Sequence, residues 1–286
     1  TYMIQITADS TCDLGENIAK HNIGIMPLSV ILGENTYRDG VDIMPKDIFD
    51  YVERTGQLPK TAAPSIGEYE DFFAPYVYRG DTVVHFSISA KASSACSYAE
   101  TAARKFPGKV YVVDSKALST GQGLLILKAA DLREAGKSAE EIVTEVNALR
   151  PLVNTSFVPD RLDYLYKGGR CSRLAFYGAN ILKIHPLIEM QDGQLVPGKK
   201  YRGSMVRCIE QYIEDLAVQY PTYETRRCFI THSNADEEVV EAARKKVAKL
   251  FHFDEVLETV AGSVITGHCG RNTLGVLFIA TKEGQA

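Results

Sequence analysis

The sequence predicts an α/β protein of two domains, on three observations. In the first half, apolar β-branched runs alternate with helical periodicity across short polar turns, so the order strand, turn, helix recurs. That order is the signature of a parallel sheet with helices on both faces, an α/β/α sandwich. Beyond Pro151 a strong two-residue hairpin signal, Asp192-Gly193, stands among helices and further strands, so the second half reads as α+β with a mixed sheet. The 286 residues are long for one core and comfortable for two, and the expected domains are 1–150 and 151–286.

Taken in order, Met3–Ala8 reads as a strand that ends in the polar turn Asp9-Ser10-Thr11-Cys12-Asp13, ahead of a short helix. Ile23–Leu32 reads as a second strand, and Met44–Thr55 as a helix with Ile48, Phe49 and Val52 on one face. Lys60–Ser65 reads as a loop. Ser65 and Glu68 have capping-box spacing before a helix that carries Tyr69, Phe72 and Phe73. The stretch Thr82–Ile88 is a strand, and its end, Ser89–Cys96, is small and hydroxyl-rich before a helix over Ser97–Phe106. The strand Lys109–Val113 runs into another small polar segment, Asp114–Gly123, before the helices Leu124–Ala135 and Ser138–Leu149.

In the second half, Asn154–Val158 reads as a strand and Asp160–Lys167 as a helix stopped by Gly168-Gly169. Hairpin arms Pro186–Met190 and Gln194–Gly198 follow, then the helix Gly203–Tyr220, the strand Arg227–Thr231 and the charged helix Asp236–Phe251. Strands Glu255–Val260 and Thr273–Thr281 flank a glycine-rich loop, Ala261–Asn272.

Bulk properties exclude several function classes. Hydrophobic residues make up 45% and charged residues 24%, a soluble globular composition. A net charge of −4 offers no basic field for nucleic acid. No apolar run reaches the ~20 residues of a membrane span. The first residues enter the strand Met3–Ile6 without a basic region, so no signal peptide is expected. Six scattered cysteines without a CxxC pair argue for reduced thiols in a cytoplasmic protein and against a zinc site.

The three hydroxyl-rich turns, at Asp9–Thr11, Ser89–Ser94 and Asp114–Ser119, all follow strands of the expected parallel sheet, so they lie along its carboxyl edge, where ligands bind in such folds. A serine at a helix start also simply caps it. Three such turns together favour an anion-binding edge, with N–H groups and a positive helix end facing the ligand.

His268 lies in a loop that Gly262, Gly267 and Gly270 leave free to approach a ligand, where it could donate to an anion, act as a base or bond a backbone carbonyl. A serine or cysteine hydrolase using Ser93 or Cys269 with His268 is one alternative, although GxSxG is absent. A phosphate- or nucleotide-binding module is another, although neither GxGxxG nor GxxxxGK[ST] occurs.

Four segments resemble the DegV family: Asp9-Ser10-Thr11-Cys12-Asp13-Leu14; Lys60-Thr61 through Pro64-Ser65 with Gly67-Glu68; Asp114-Ser115-Lys116 with Gly121-Gln122-Gly123; and Tyr164-Leu165 with Lys167-Gly168-Gly169-Arg170. The resemblance runs over nearly the whole chain. It implies a bacterial, cytoplasmic, two-domain lipid-binding protein that is not itself an enzyme and needs no cofactor or metal. Its ligand is one long-chain fatty acid such as palmitate, stearate or oleate, with the carboxylate between the domains and the tail buried. The implied protein partner is the ATP-binding subunit of a fatty acid kinase, which makes the acyl phosphate for phospholipid metabolism, with at most transient membrane contact. The carboxylate ligands of the family fall on Thr61 and Ser93, with His268, Ser94, Arg170, Arg202, Asp9, Ser10 and Ser119 near the head group. The chain departs from the family pattern at Ala62-Ala63, at Ser94-Ala95 and after Gly270, and it keeps Thr61, Ser93 and His268.

Overall fold

The computed structural model describes residues 3–180 and 184–281; the last five residues of the expected second domain lie outside them. β1 (Ile4–Asp9) is followed by a 3-10 turn and α1 (Asn17–Lys20), then β2 (Gly24–Met26), β3 (Ser29–Leu32) and β4 (Asn35–Arg38). Next come α2 (Pro45–Thr55), β5 (Lys60–Ala62), α3 (Ile66–Tyr78), β6 (Thr82–Ser87), α4 (Ala95–Ala103), β7 (Val110–Asp114), α5 (Ser119–Glu134) and α6 (Ala139–Leu149). The chain continues through β8 (Val153–Asn154), β9 (Ser156–Phe157), α7 (Asp163–Gly168), a 3-10 segment (Ser172–Asn180), β10 (His185–Gln191) and β11 (Gln194–Tyr201). It ends in α8 (Met205–Gln219), β12 (Arg227–His232), α9 (Glu237–Leu250), β13 (Glu255–Val260), α10 (Ser263–Cys269) and β14 (Leu274–Ile279).

The first sheet has the order β2-β1-β6-β7 and is parallel throughout. Its order reverses between β1 and β6, so the loops after these two strands open a crevice at the carboxyl edge. A mixed sheet, β13-β12-β14-β8, pairs β12 with β13 in parallel and with β14 antiparallel. Two three-stranded antiparallel sheets, β4-β3-β5 and β11-β10-β9, complete the fold.

α5 joins the two larger sheets. Twelve of its residues are buried, from Ser119 to Leu132. On one side it meets Ile6, Val84 and Phe86 of the parallel sheet, on the other Phe229, Leu277 and Ile279 of the mixed sheet, in one apolar cluster. A helix buried on every side lacks the one-sided stripe of a surface helix. Gly121 and Gly123 make the approach possible: a Cβ at Gly121 falls 2.0 Å from the Thr155 hydroxyl oxygen, and one at Gly123 falls 2.8 Å from Leu14.

The structure corrects the sequence reading at five places, one of them Asn154–Val158, which is not one strand but two short ones in different sheets, β8 on β14 and β9 on β10. Ile23–Leu32 is two strands in two different sheets, broken around Pro27, because Met26 pairs with β1 and Ser29 with β4 and β5. Lys60–Ala62 is a strand on β3, not a loop. Ser119–Gly123 forms the first turn of α5. The glycine-rich segment after β13 contains α10, whose Val264 and Ile265 are buried and which Gly270 ends with a positive φ of 77°.

The hairpin at Asp192-Gly193 forms where expected, and its tip is fastened to the parallel sheet. The buried Ser89 hydroxyl donates to the Gly193 carbonyl at 2.6 Å, while Lys91 and Lys116 both reach the Asp192 carboxylate. Ser89→Ala leaves a buried carbonyl without its donor and is expected to lower unfolding free energy by about 1–2 kcal/mol. Asp192→Asn removes only solvent-exposed ion pairs and is expected to leave the urea midpoint nearly unchanged. Equilibrium urea unfolding of both variants checks the contrast.

Candidate ligand-binding site

A cleft opens at the carboxyl edge of the parallel sheet, where the loop after β6 faces β5, α7, β11 and α10. Its walls include Thr61, Ala63, Ser93, Arg170 and His268 toward the mouth, with Leu28, Ile88, Leu118, Leu165, Leu195 and Ile265 among its apolar lining. The cleft measures about 560 Å³ including its open end. A second pocket adjoins it and shares Leu118, Ile265 and Cys269 as walls, with Phe157 and Leu277 beside Ser119, Thr155 and Thr231 in its lining.

Strand β5 presents Thr61, and α10 presents His268. Their side chains meet, with Thr61 Oγ1 2.7 Å from His268 Nε2. The other face of the ring is crowded by the chain: a Cβ at Gly168 falls 2.9 Å from His268 Nδ1. Burial, with the Arg170 guanidinium nearby, lowers the His268 pKa to about 4, so the ring is neutral at pH 7. Ser93 sits in the turn after β6, and its Oγ accepts the Ala95 N–H at 3.1 Å. Among the described residues no protein acceptor takes its hydroxyl proton, which is left to donate into the cleft. The Arg170 guanidinium donates to the carbonyls of Gly168, at 3.0 Å, and Ala92, at 3.4 Å, so it bounds the mouth while bonded to the backbone.

The other residues expected near the head group are not among these cleft walls, although Ser119 lines the adjoining pocket. Asp9 is fully buried and accepts from Tyr69 (2.5 Å), Ser87 (2.6 Å), His85 (3.0 Å) and the Ile88 N–H (3.0 Å). Burial raises its pKa, but the His85 charge and the hydrogen bonds outweigh that and hold it below the usual carboxylate value. With its oxygens so engaged, Asp9 ties the base of the Ser93 turn to β1 and does not face the cleft. Ser10 accepts the Leu28 N–H at 3.0 Å, and Ser119 donates to Asp13 at 2.6 Å. Ser94 is exposed at the start of α4 and makes no side-chain cap. Arg202, just past β11, is exposed and outside the cleft walls.

The geometry bears on hydrolysis. All six cysteines are buried free thiols, and burial pushes that of Cys269 up to about 12, far from a thiolate. His268 Nε2 is engaged by Thr61, and among the described residues Ser93 does not bond the ring and no carboxylate orients Nδ1. An imidazole that titrates near 4 is too weak a base to activate a hydroxyl at neutral pH. Among the described residues no group of three or more His, Cys, Asp or Glu could hold a metal ion, and no helix is long and apolar enough to cross a membrane.

A family model described as uncharacterised proteins of the DegV family matches residues 3–281. The chain belongs to the DegV family. A DegV domain-containing protein of Clostridium acetobutylicum is 32% identical over 280 residues, covering 96% of this chain and 98% of its own. Among solved structures, a DegV family protein of Thermus thermophilus described by its fatty acid binding superposes with a TM-score of 0.87 at 29% identity, over 97% of this chain and 99% of its own. A stearic acid-binding protein of Eubacterium ventriosum superposes with a TM-score of 0.83 at 28% identity, over 97% and 98%. The family members so described bind fatty acids.

Sequence reasoning missed the apolar walls contributed by Leu165, Leu195, Val264 and Ile265. The signal for the last two was a short helical apolar pattern, hidden among glycines that read as loop. The His268 environment has a measurable consequence. Its pKa is lowered on folding, so its contribution to stability is present above the unfolded value of 6.5 and is lost as pH falls from there to about 4. Urea unfolding between pH 7 and 4 is expected to show this loss in the wild type and a shallower slope in His268→Gln.

Proposed function

We propose that this protein binds one long-chain fatty acid, with its carboxylate on the hydroxyls of Thr61 and Ser93 and its tail in the apolar walls behind them. The observation that carries this reading is one cleft whose walls bring the Thr61 and Ser93 hydroxyls together with buried apolar side chains. Ile88, Leu118, Leu165, Leu195 and Ile265 belong to a single cluster with Phe157 and Ile188. The fatty acids described for the Thermus thermophilus and Eubacterium ventriosum relatives support it. In the tautomer that carries its proton on Nε2, His268 donates to Thr61 Oγ1 and leaves the threonine proton for the ligand. Burying a sixteen-carbon tail contributes roughly 12 kcal/mol gross at about 0.8 kcal/mol per methylene, before the cost of association. The hydroxyls add about 1.5–3 kcal/mol each and set the register.

The reading extends to a cytoplasmic carrier that presents the acid to a separate ATP-binding kinase subunit. A carboxylate held by neutral hydroxyls, with Arg170 bonded to carbonyls, stays available to accept a phosphoryl group. A bidentate arginine would stabilise it as the ground-state anion.

Denaturing mass spectrometry of protein purified from a bacterial host is expected to release a long-chain acid, and the delipidated protein to rebind palmitate. Release of no acid together with no rebinding contradicts the proposal. Thr61→Ala and Ser93→Ala are each expected to weaken palmitate binding by roughly 10–100-fold, with little change in urea midpoint for Ser93→Ala and a loss of about 1–2 kcal/mol for Thr61→Ala, which leaves His268 Nε2 without its partner.

A further inference from the structure

Two buried carboxylates outside the cleft meet the start of α10. Asp13, from the turn after β1, accepts the Gly262 N–H at 2.9 Å on Oδ1 and the Ser119 hydroxyl at 2.6 Å on Oδ2. Asp39, just past β4, accepts the Ser263 N–H at 2.9 Å on Oδ1. The Ser10 hydroxyl and the Val264 N–H also face this carboxylate, and its buried Oδ2 makes no close hydrogen bond among the described residues. The two acids face each other across Gly262, where a Cβ would fall 3.1 Å from Asp13 Oδ1 and 3.2 Å from Asp39 Oδ1. Both residues come from the first half of the chain, and both bind backbone amides of the second half.

These acids are costly to bury. Burial pushes the Asp13 carboxyl up to about 8, with Asp39 adding to the rise, and burial also raises Asp39. Their hydrogen bonds fix the first amides of α10, and His268 lies five residues further along the same helix. At about 1.5 Å rise per residue, the ring stands roughly 8 Å from the clamp on a rigid element. A helix released at Gly262 and Ser263 shifts His268 off Thr61, because the ring has no other side-chain hydrogen bond among the described residues.

We propose that Asp13 and Asp39 are positioning residues of the head-group site: by clamping the start of α10 they hold His268 against Thr61. The role of the bond in ligand binding rests on the fatty-acid reading, whereas the clamp itself does not need a ligand. Asp39→Asn keeps an oxygen for the Ser263 amide, and Asp39→Ala removes it. Gly262→Ala, at a φ of −72° that alanine adopts without strain, pushes the two acids apart more gently and serves if Asp39→Ala fails to fold.

The test has a ligand-free arm and a ligand arm. In the first, NMR titration follows the His268 ring, with the backbone amide spectrum as a control for the fold. Wild type and Asp39→Asn are expected to titrate near 4, and Asp39→Ala and Gly262→Ala to move toward 6.5. A His268 titration unaltered in both Asp39→Ala and Gly262→Ala overturns the proposal. In the second arm, palmitate and hexadecanol are bound to the delipidated proteins. Asp39→Ala or Gly262→Ala is expected to weaken palmitate about tenfold and hexadecanol less than twofold, with Asp39→Asn close to wild type. Equal loss of both ligands shows general loosening and overturns the positioning role. If the wild type binds neither ligand, the fatty-acid reading fails, while the NMR arm still decides whether the acids position His268.

Discussion

The hydrogen bond between Thr61 and His268 is the contact on which the cleft depends, because it closes a site made from distant parts of the chain. The two residues are 207 apart in sequence and stand 2.7 Å apart in space. One belongs to a three-residue strand and the other to a seven-residue helix, neither of which has length enough to be stable alone. Each is held by tertiary contacts: β5 by pairing with β3, and α10 by burial of Val264 and Ile265 beneath it. The neutral histidine suits this place, since a charged ring could not be shielded beside Arg170 at such low cost.

Around that contact the fold solves a second problem, that of keeping two sheets in register on either side of a cavity. α5 fills the space between them with apolar contacts on both faces, and the hairpin tip at Asp192-Gly193 is tied back by Ser89 from the parallel sheet. Asp9 secures the turn after β6 from below with four donors, and that turn carries Ser93. The site therefore lies where the strand order of the parallel sheet reverses, with hydroxyls on its rim and side chains of the second half of the chain across from them.

Much of this was legible in the sequence where a local pattern and the global fold agree. The alternation of Met3–Ala8, Thr82–Ile88 and Lys109–Val113 with helices announced the parallel sheet, and Asp192-Gly193 announced its hairpin. The failures have physical causes. Ile23–Leu32 is uniformly apolar, and nothing local reveals that Pro27 hands the chain from one sheet to another. The glycines at 262, 267 and 270 suggested a loop, but two of them allow close packing of α10 against Pro59 and the two aspartates, and the third ends it. Thr61, Ser93 and His268 were singled out by family resemblance and are walls of one cleft. The same resemblance places Asp9, Ser10 and Ser119 near the head group, and in the structure their side chains bond to other groups of the protein.

A crystal structure of the protein with palmitate bound tests the central claim most directly. The account predicts elongated density with its polar end within hydrogen-bonding distance of Thr61 Oγ1 and Ser93 Oγ, and its tail running between Leu118 and Ile265. Density for the acid at another surface, or for a compact polar ligand occupying this cleft in its place, would contradict it.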